Sequence, residues 1–178
     1  KDLENKDITY DLTRILKGKN ALLKLKVIIK GDNATSIPKE IELMQTLLKR
    51  VVRKGTDYVE DSFSATCKDA QLRIKPLLIT RAKVSRQIIK ALREKAREEL
   101  TKEIKSEYSE KIFEDVLKNK LQKELSLKLK KIYPLSFCDI RILKVEKFLK
   151  NDKESEEKEE VKRKQKNSEA ESGKNFEE

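Results

Sequence analysis

Residues Leu72 to Arg97 read LRIKPLLITRAKVSRQIIKALREKAR, and the period of the pattern changes within them. Up to Thr80 it is two: Leu72, Ile74 and Leu78 share one parity, and Arg73 and Lys75 the other, as on a strand with one face buried. Beyond it the period is helical. Lys83, Arg86, Lys90, Arg93 and Arg97 are spaced 3, 4, 3 and 4, which stacks five cations on one helix face. Val84, Ile88, Leu92, Ala96 and Leu100 form the apolar stripe that docks such a helix on a core. The helix is expected from about Lys83 to Ser106. Its cations begin in the first turns, where the macrodipole favours anions, whereas Glu94, Glu98, Glu99 and Glu103 come later. A helix start that works against its own dipole points to a polyanionic partner.

Upstream, Thr56 to Cys67 and Gln71 to Thr80 are expected to form a hairpin around Lys68-Asp69-Ala70. Pro76 cannot donate to a ladder and so marks an edge or a strand break. Alternation over Ile8 to Ile15 predicts a strand. Leu23, Leu25, Val27 and Ile29 against Lys24, Lys26 and Lys30 predict another with its basic residues outward. Gly18-Lys19-Asn20 and Gly31-Asp32-Asn33 are turn chemistry. Glu42 to Arg53 has the helical period, with Gly55 as its C′ glycine. Lys49, Arg50, Arg53 and Lys54 lie in that helix's last turn and just beyond, where they serve equally as dipole partners or as RNA contacts.

Downstream, Ser109 opens a further helical stretch carried by Ile112, Val116, Leu121, Leu125 and Leu129. It is interrupted near Asn119 and ended by Pro134. Phe137 to Leu149 is expected to be the last strand, with Cys138, Ile140 and Ile142 alternating against Asp139 and Arg141. The Tyr133 ring is expected to be largely buried at the helix-to-strand junction. These elements give an α+β fold.

The chain has 178 residues, 42% of them charged and only 5% aromatic, so its core must be aliphatic. The formal net charge is +11. Residues 151–178 hold 7 Lys/Arg and 10 Asp/Glu, which leaves residues 1–150 at +14. A body this basic concerns partners rather than fold, nucleic acid before an anionic membrane surface. Residues 1–150 are expected to be one RNA-binding body. Residues 151–178, with Val161 and Phe176 as their only large apolar side chains, are expected to be a charged, acidic, disordered tail.

Catalytic chemistry is not expected. There is no histidine for a Ser-His-Asp or Cys-His arrangement. Four unclustered glycines exclude a P-loop or a dinucleotide fingerprint. Cys67 and Cys138 are too few for a disulfide framework and too far apart for a metal clip; they are expected to be small core residues. The expectation is therefore no enzyme, no cofactor, no metal and no small-molecule substrate. No apolar run of about 18 residues is present, so no membrane span is expected, no signal peptide opens the sequence, and the cysteine content fits a reducing compartment. The basic stripe, with Arg73, Lys75 and Arg81 before it, is read as one nucleic-acid surface. Stacking aromatics are nearly lacking, which leaves recognition of the phosphate backbone and of shape.

Three segments carry a resemblance: RKGTDYVEDSFSATCKDAQLRIKP from Arg53 to Pro76, RAKVSRQIIKALREKA from Arg81 to Ala96, and KKIYPLSFCDIRILKV from Lys130 to Val145. In this order and spacing, over roughly Ile8 to Leu149, the chain resembles the S-three-A (S-three-Ae) family of archaeal and eukaryotic small-subunit ribosomal proteins. Arg73-Ile74-Lys75-Pro76 and Ile132-Tyr133-Pro134-Leu135 are the most specific pieces. The resemblance implies a curved, barrel-like antiparallel sheet packed with helices. It also implies a cytoplasmic place in the small ribosomal subunit, on the platform near the mRNA exit, with small-subunit rRNA and neighbouring ribosomal proteins as partners. The family's longer basic N-terminal arm, with its Lys-Trp-Tyr-like segment, is expected to be missing from these residues. The family's Lys-Asp-Gly-Tyr turn is replaced by Lys68-Asp69-Ala70-Gln71. A free-standing basic RNA- or DNA-binding regulator or chaperone is the alternative, and a helical protein adaptor a third reading.

Overall fold

A computed structural model describes residues 5–16, 19–30 and 33–149. The expected tail, Gly18, and Gly31-Asp32 lie outside the described residues. In chain order the elements are β1 (Asp7–Asp11), β2 (Ala21–Lys30), β3 (Asn33–Leu43), α1 (Gln45–Val51), β4 (Tyr58–Glu60), β5 (Phe63–Thr66), β6 (Ala70–Thr80), α2 (Arg86–Ser106), α3 (Ser109–Leu117), α4 (Lys120–Leu129) and β7 (Leu135–Phe148). The strands form one antiparallel sheet in the order β1-β2-β3-β7-β6-β4, and β5 also pairs with β6. The fold is α+β as expected. The sheet is not closed: β1 and β4 are its two ends.

The β6–β7 ladder is its spine. Its register shifts three times, at Gln71/Leu72, Lys75/Pro76 and Ile79/Thr80. Each time the extra residue lies on β7, at Glu146, Arg141 and Ser136, so the pair bends and twists. The bulge at Arg141 corrects the expected alternation of β7. Ile140 faces the core, but beyond the bulge Leu143 and Val145 do so, not Ile142. Another correction is that Pro76 lies inside β6, the most connected strand, and not at an edge or break. It is accommodated because β5 pairs only as far as Ile74, β4 begins at Leu77, and the β7 bulge falls beside it.

The helices α2, α3 and α4 cover one face of the sheet. Leu92, Ala96, Leu100 and Ile104 of α2 recur every fourth residue and are buried. They share a core with Ile112, Phe113 and Val116 of α3, Leu121, Leu125 and Leu129 of α4, and Leu72, Ile74, Leu78, Ile140, Leu143 and Val145 of the sheet. A smaller cluster of Ala21, Leu43 and Leu47, joined by Phe137, packs α1 elsewhere on the sheet. At the break between α3 and α4, Asn119 adopts a left-handed φ of 58°, a conformation Asn tolerates better than most residues. Asp69, in the β5–β6 turn, accepts hydrogen bonds from the Ser109 amide (2.8 Å) and hydroxyl (2.5 Å). It thus caps α3 from another loop. Ala70, in place of the family's glycine, has no positive φ and simply begins β6.

Several boundaries differ from the sequence reading. Strand β1 ends at Asp11, before the expected Ile15. Residues 33–43 form a strand that the sequence reading did not assign, and α1 starts at Gln45, not Glu42. Gly55 does have a positive φ of 87°, but it lies in the turn Arg53–Thr56 rather than at C′ of α1. Helix α2 begins at Arg86, so Lys83 and Val84 precede it. Helix α4 ends at Leu129, short of Pro134. Tyr133 is half-buried against the core, where a largely buried ring is expected.

Candidate nucleic-acid interface

Between Asp69 and Glu94 the sequence has no acid, and between Glu42 and Glu60 it has only Asp57. Those two stretches carry eleven Lys and Arg, and the fold brings part of each together. The Thr80 amide donates to the Asp57 carbonyl (2.9 Å) and the Asp57 amide to the Thr80 hydroxyl oxygen (3.0 Å). The same hydroxyl donates to the Ala82 carbonyl (2.7 Å), and the Val84 amide donates to the Asp57 carboxylate (2.8 Å). The segment after α1 is thereby tied to the linker between β6 and α2.

On one side of this tie lie Lys49 and Arg50 in the last turn of α1, then Arg53 and Lys54 in the following turn. On the other lie Arg81 and Lys83 in the linker and Arg86 at the first residue of α2. All seven are exposed, and none has a carboxylate partner within ion-pair distance among the described residues. Arg93 is likewise exposed and unpaired among them, while Lys90 has only a long contact of 3.8 Å to Glu94, one turn on. Lys83 is on this surface but not on the helix, so the expected five-cation helical stripe is four.

Three expected cations belong elsewhere. Arg97 lays its guanidinium on Asp61, at 3.0 and 3.2 Å, and over the Phe63 ring at 5.4 Å; it fastens α2 to the β4–β5 segment. Arg73 and Lys75 have the parity opposite to Leu72 and Ile74, so they lie on the face of the sheet away from α2. There Arg73 pairs with Glu146 and Lys75 is half-buried. The expectation that these two share a surface with the α2 cations is thus corrected, because strand alternation separates them.

Asp57 and Thr80 were not singled out in the sequence. They are 23 positions apart, and neither carries periodic information. Thr80 ending the apolar run Pro76-Leu77-Leu78-Ile79 is the one local sign of a buried polar contact; it is fully buried.

The two cysteines lie apart from this surface. Burial pushes the Cys138 thiol up to about 12, with Asp139 adding to it. Burial first, and then the neighbouring Asp69 carboxylate, also raise Cys67. Both thiols are therefore held protonated and are poor nucleophiles. No grouping of metal-binding side chains occurs among the described residues. No helix among them is long and apolar enough to cross a membrane.

Comparison with known proteins identifies the family. A curated relative, small ribosomal subunit protein eS1 of Nanoarchaeum equitans (strain Kin4-M), is 29% identical over 114 residues. That match covers 64% of this chain and 58% of the relative, so it spans somewhat over half of the relative's length. The sequence profile of the Ribosomal S3Ae family matches residues 5–148, nearly all of the described body, and the chain belongs to that family.

Proposed function

We propose that the chain is a structural constituent of the small ribosomal subunit that holds small-subunit rRNA through its phosphate backbone. The observation that carries this reading is a set of exposed cations that, among the described residues, have no carboxylate partner beyond the long Lys90–Glu94 contact, in a member of a ribosomal family. A folded domain gains nothing from leaving so many cations unpaired; a phosphate backbone supplies the missing charge and releases counterions on binding. The resemblance to the family supports a place on the platform near the mRNA exit, in the cytoplasm, beside neighbouring ribosomal proteins. The contacts assigned to RNA are Lys49, Arg50, Arg53, Lys54, Arg81, Lys83, Arg86, Lys90 and Arg93. Arg73, Lys75 and Arg97 stand apart as a second RNA-facing set or as intramolecular partners. The role is non-catalytic.

The test is sedimentation of the native protein in a ribosome gradient after a high-salt wash. It is expected to travel with the small subunit. Recovery only in the free fraction would favour a free-standing RNA- or DNA-binding regulator or chaperone. Purified protein on structured RNA should show a log–log salt slope of about −5 if about six phosphates are engaged. An affinity indifferent to salt would defeat the phosphate reading.

A further inference from the structure

The tie between residue 57 and residue 80 has a consequence for binding. We infer that Asp57 and Thr80 are positioning residues, which join the Arg53–Thr56 turn and the Arg81–Ser85 linker into one preformed seat for an RNA sugar-phosphate backbone. This rests on the RNA-binding reading above and adds where the seat is and what holds it.

The chemistry of Asp57 is the first ground. It is a single acid among many cations, and electrostatics alone would have it neutralise one of them. Its carboxylate instead accepts the Val84 amide at 2.8 Å, and no Lys or Arg among the described residues lies within ion-pair distance. The acid is spent on backbone placement, and the cations are left outward. The second ground is rigidity on both sides. The turn before Asp57 is closed by the Thr56 hydroxyl on the Arg53 carbonyl (2.8 Å), and Gly55 supplies its left-handed residue. The linker is held by the Thr80 hydroxyl on the Ala82 carbonyl. Cations on a fixed backbone lose less freedom on binding than cations on a mobile loop, so the same set of cations binds more tightly.

Two influences of Asp57 then oppose each other. Removing a negative charge from a cationic surface should raise RNA affinity by Coulomb attraction alone. Removing the hydrogen-bond acceptor should lower it by loosening the seat. Asp57→Asn removes the charge and keeps the acceptor; Asp57→Ala removes both.

The experiment measures binding of the whole chain to an RNA hairpin of arbitrary sequence at several salt concentrations. A control carries Lys54→Gln, Arg81→Gln, Lys83→Gln and Arg86→Gln. Asp57→Ala is expected to weaken binding about tenfold, with an unchanged salt slope, since the same phosphates are still reached. Asp57→Asn should bind as tightly as the native protein or more so. The control should weaken binding and flatten the slope by about one unit per phosphate no longer reached. If the control binds normally, the RNA reading of these cations fails. If the control weakens but Asp57→Ala binds as well as Asp57→Asn, the positioning role fails and the RNA reading stands. Should Asp57→Ala not fold, Thr80→Val and Thr80→Ser replace it: weak binding with Val and recovery with Ser supports the tie, and equal binding by the two overturns it.

Discussion

The two halves of α2 use the same residue types for opposite ends. In the second half, from Lys95 on, every Lys and Arg has a carboxylate partner except Lys105, which has none among the described residues. Glu99 meets Lys95 at 3.2 Å, Lys102 at 3.6 Å and Lys128 of α4 at 3.1 Å, and Lys128 also reaches Glu103 at 2.6 Å. Arg97 is held by Asp61 and Phe63. In the first half, Arg86 and Arg93 have no carboxylate partner among the described residues, and Lys90 has only the long contact to Glu94. Both parts bury the same kind of stripe, Leu92 in the first and Ala96, Leu100 and Ile104 in the second. Packing therefore does not separate them; the use of charge does. Most cations of the second half are matched to acids, whereas those of the first half lie open, as the proposed RNA contact requires.

Lys19 is the extreme of the matched class, and breaking it gives the largest expected effect. It meets Asp139 at 2.8 Å, both side chains less than a tenth exposed, and Asn119 at 3.0 Å; Gln122 adds a bond to the same Asp139 oxygen. The cluster ties the residues before β2 to the α3–α4 break and to β7. Lys19→Ala leaves the Asp139 carboxylate buried without its counter-charge and should cost about 3–5 kcal/mol in denaturant unfolding. RNA affinity of the molecules that remain folded should not change. A cost below about 1 kcal/mol would show that water reaches Asp139 and that the pair is not part of the core.

The Glu99 cluster should respond less, and in a way that pH reveals. Hydrogen bonds from Lys128 and then Lys95 hold the Glu99 carboxyl at about 2, against an ordinary 4.5. A carboxyl with a depressed folded pKa contributes stability above its unfolded value, and that contribution is lost as pH falls through the folded one. The window is therefore from about 4.5 down to about 2. Lys128→Gln should cost about 0.5–1 kcal/mol at neutral pH, the scale of a partly exposed pair. It should also flatten the fall of the thermal midpoint across that window. An acid profile identical to the native one would mean that α4 does not depend on this pairing.

Locality decided what the sequence could show. The stripe Leu92, Ala96, Leu100 is written in steps of four, so α2 and its buried face were legible, as was the hairpin around Asp69. Strand β3 was not. Its first four residues are exposed and polar or small, and Pro38 reads as a breaker; the β2–β3 ladder makes room for it with a bulge at Lys39, next to the proline. The parity of β7 was hidden because the bulge at Arg141 is a property of the β6–β7 pair and not of either strand. The start of α2 was misplaced by three residues, since a stripe continues through Lys83 whether or not the backbone does. What fixes Val84 outside the helix is the Asp57 carboxylate, 27 positions earlier. The same limit applies to the surface: the cations were legible as a group, but which of them are paired inside the fold depends on Asp61, Glu146 and strand parity.

The smallest expected effect on stability is also the sharpest test of the two halves. Arg86→Gln, Lys90→Gln and Arg93→Gln together remove three exposed cations and keep helix propensity nearly constant. Among the described residues they break only the long ion pair between Lys90 and Glu94, worth a few tenths of a kcal/mol at most. Against that, a positive charge at the first residue of α2 is relieved, a similar gain of opposite sign. The triple variant should unfold within about 0.5 kcal/mol of the native protein. Its RNA binding should nevertheless weaken, and the salt slope should shrink by about one unit for each phosphate no longer neutralised. The corresponding change in the second half, Lys95→Gln with Lys128→Gln, should do the reverse, lowering stability and leaving the slope alone. If instead the first-half variant unfolds early and binds RNA normally, its cations are intramolecular after all. The contrast between the two halves would then be one of geometry only.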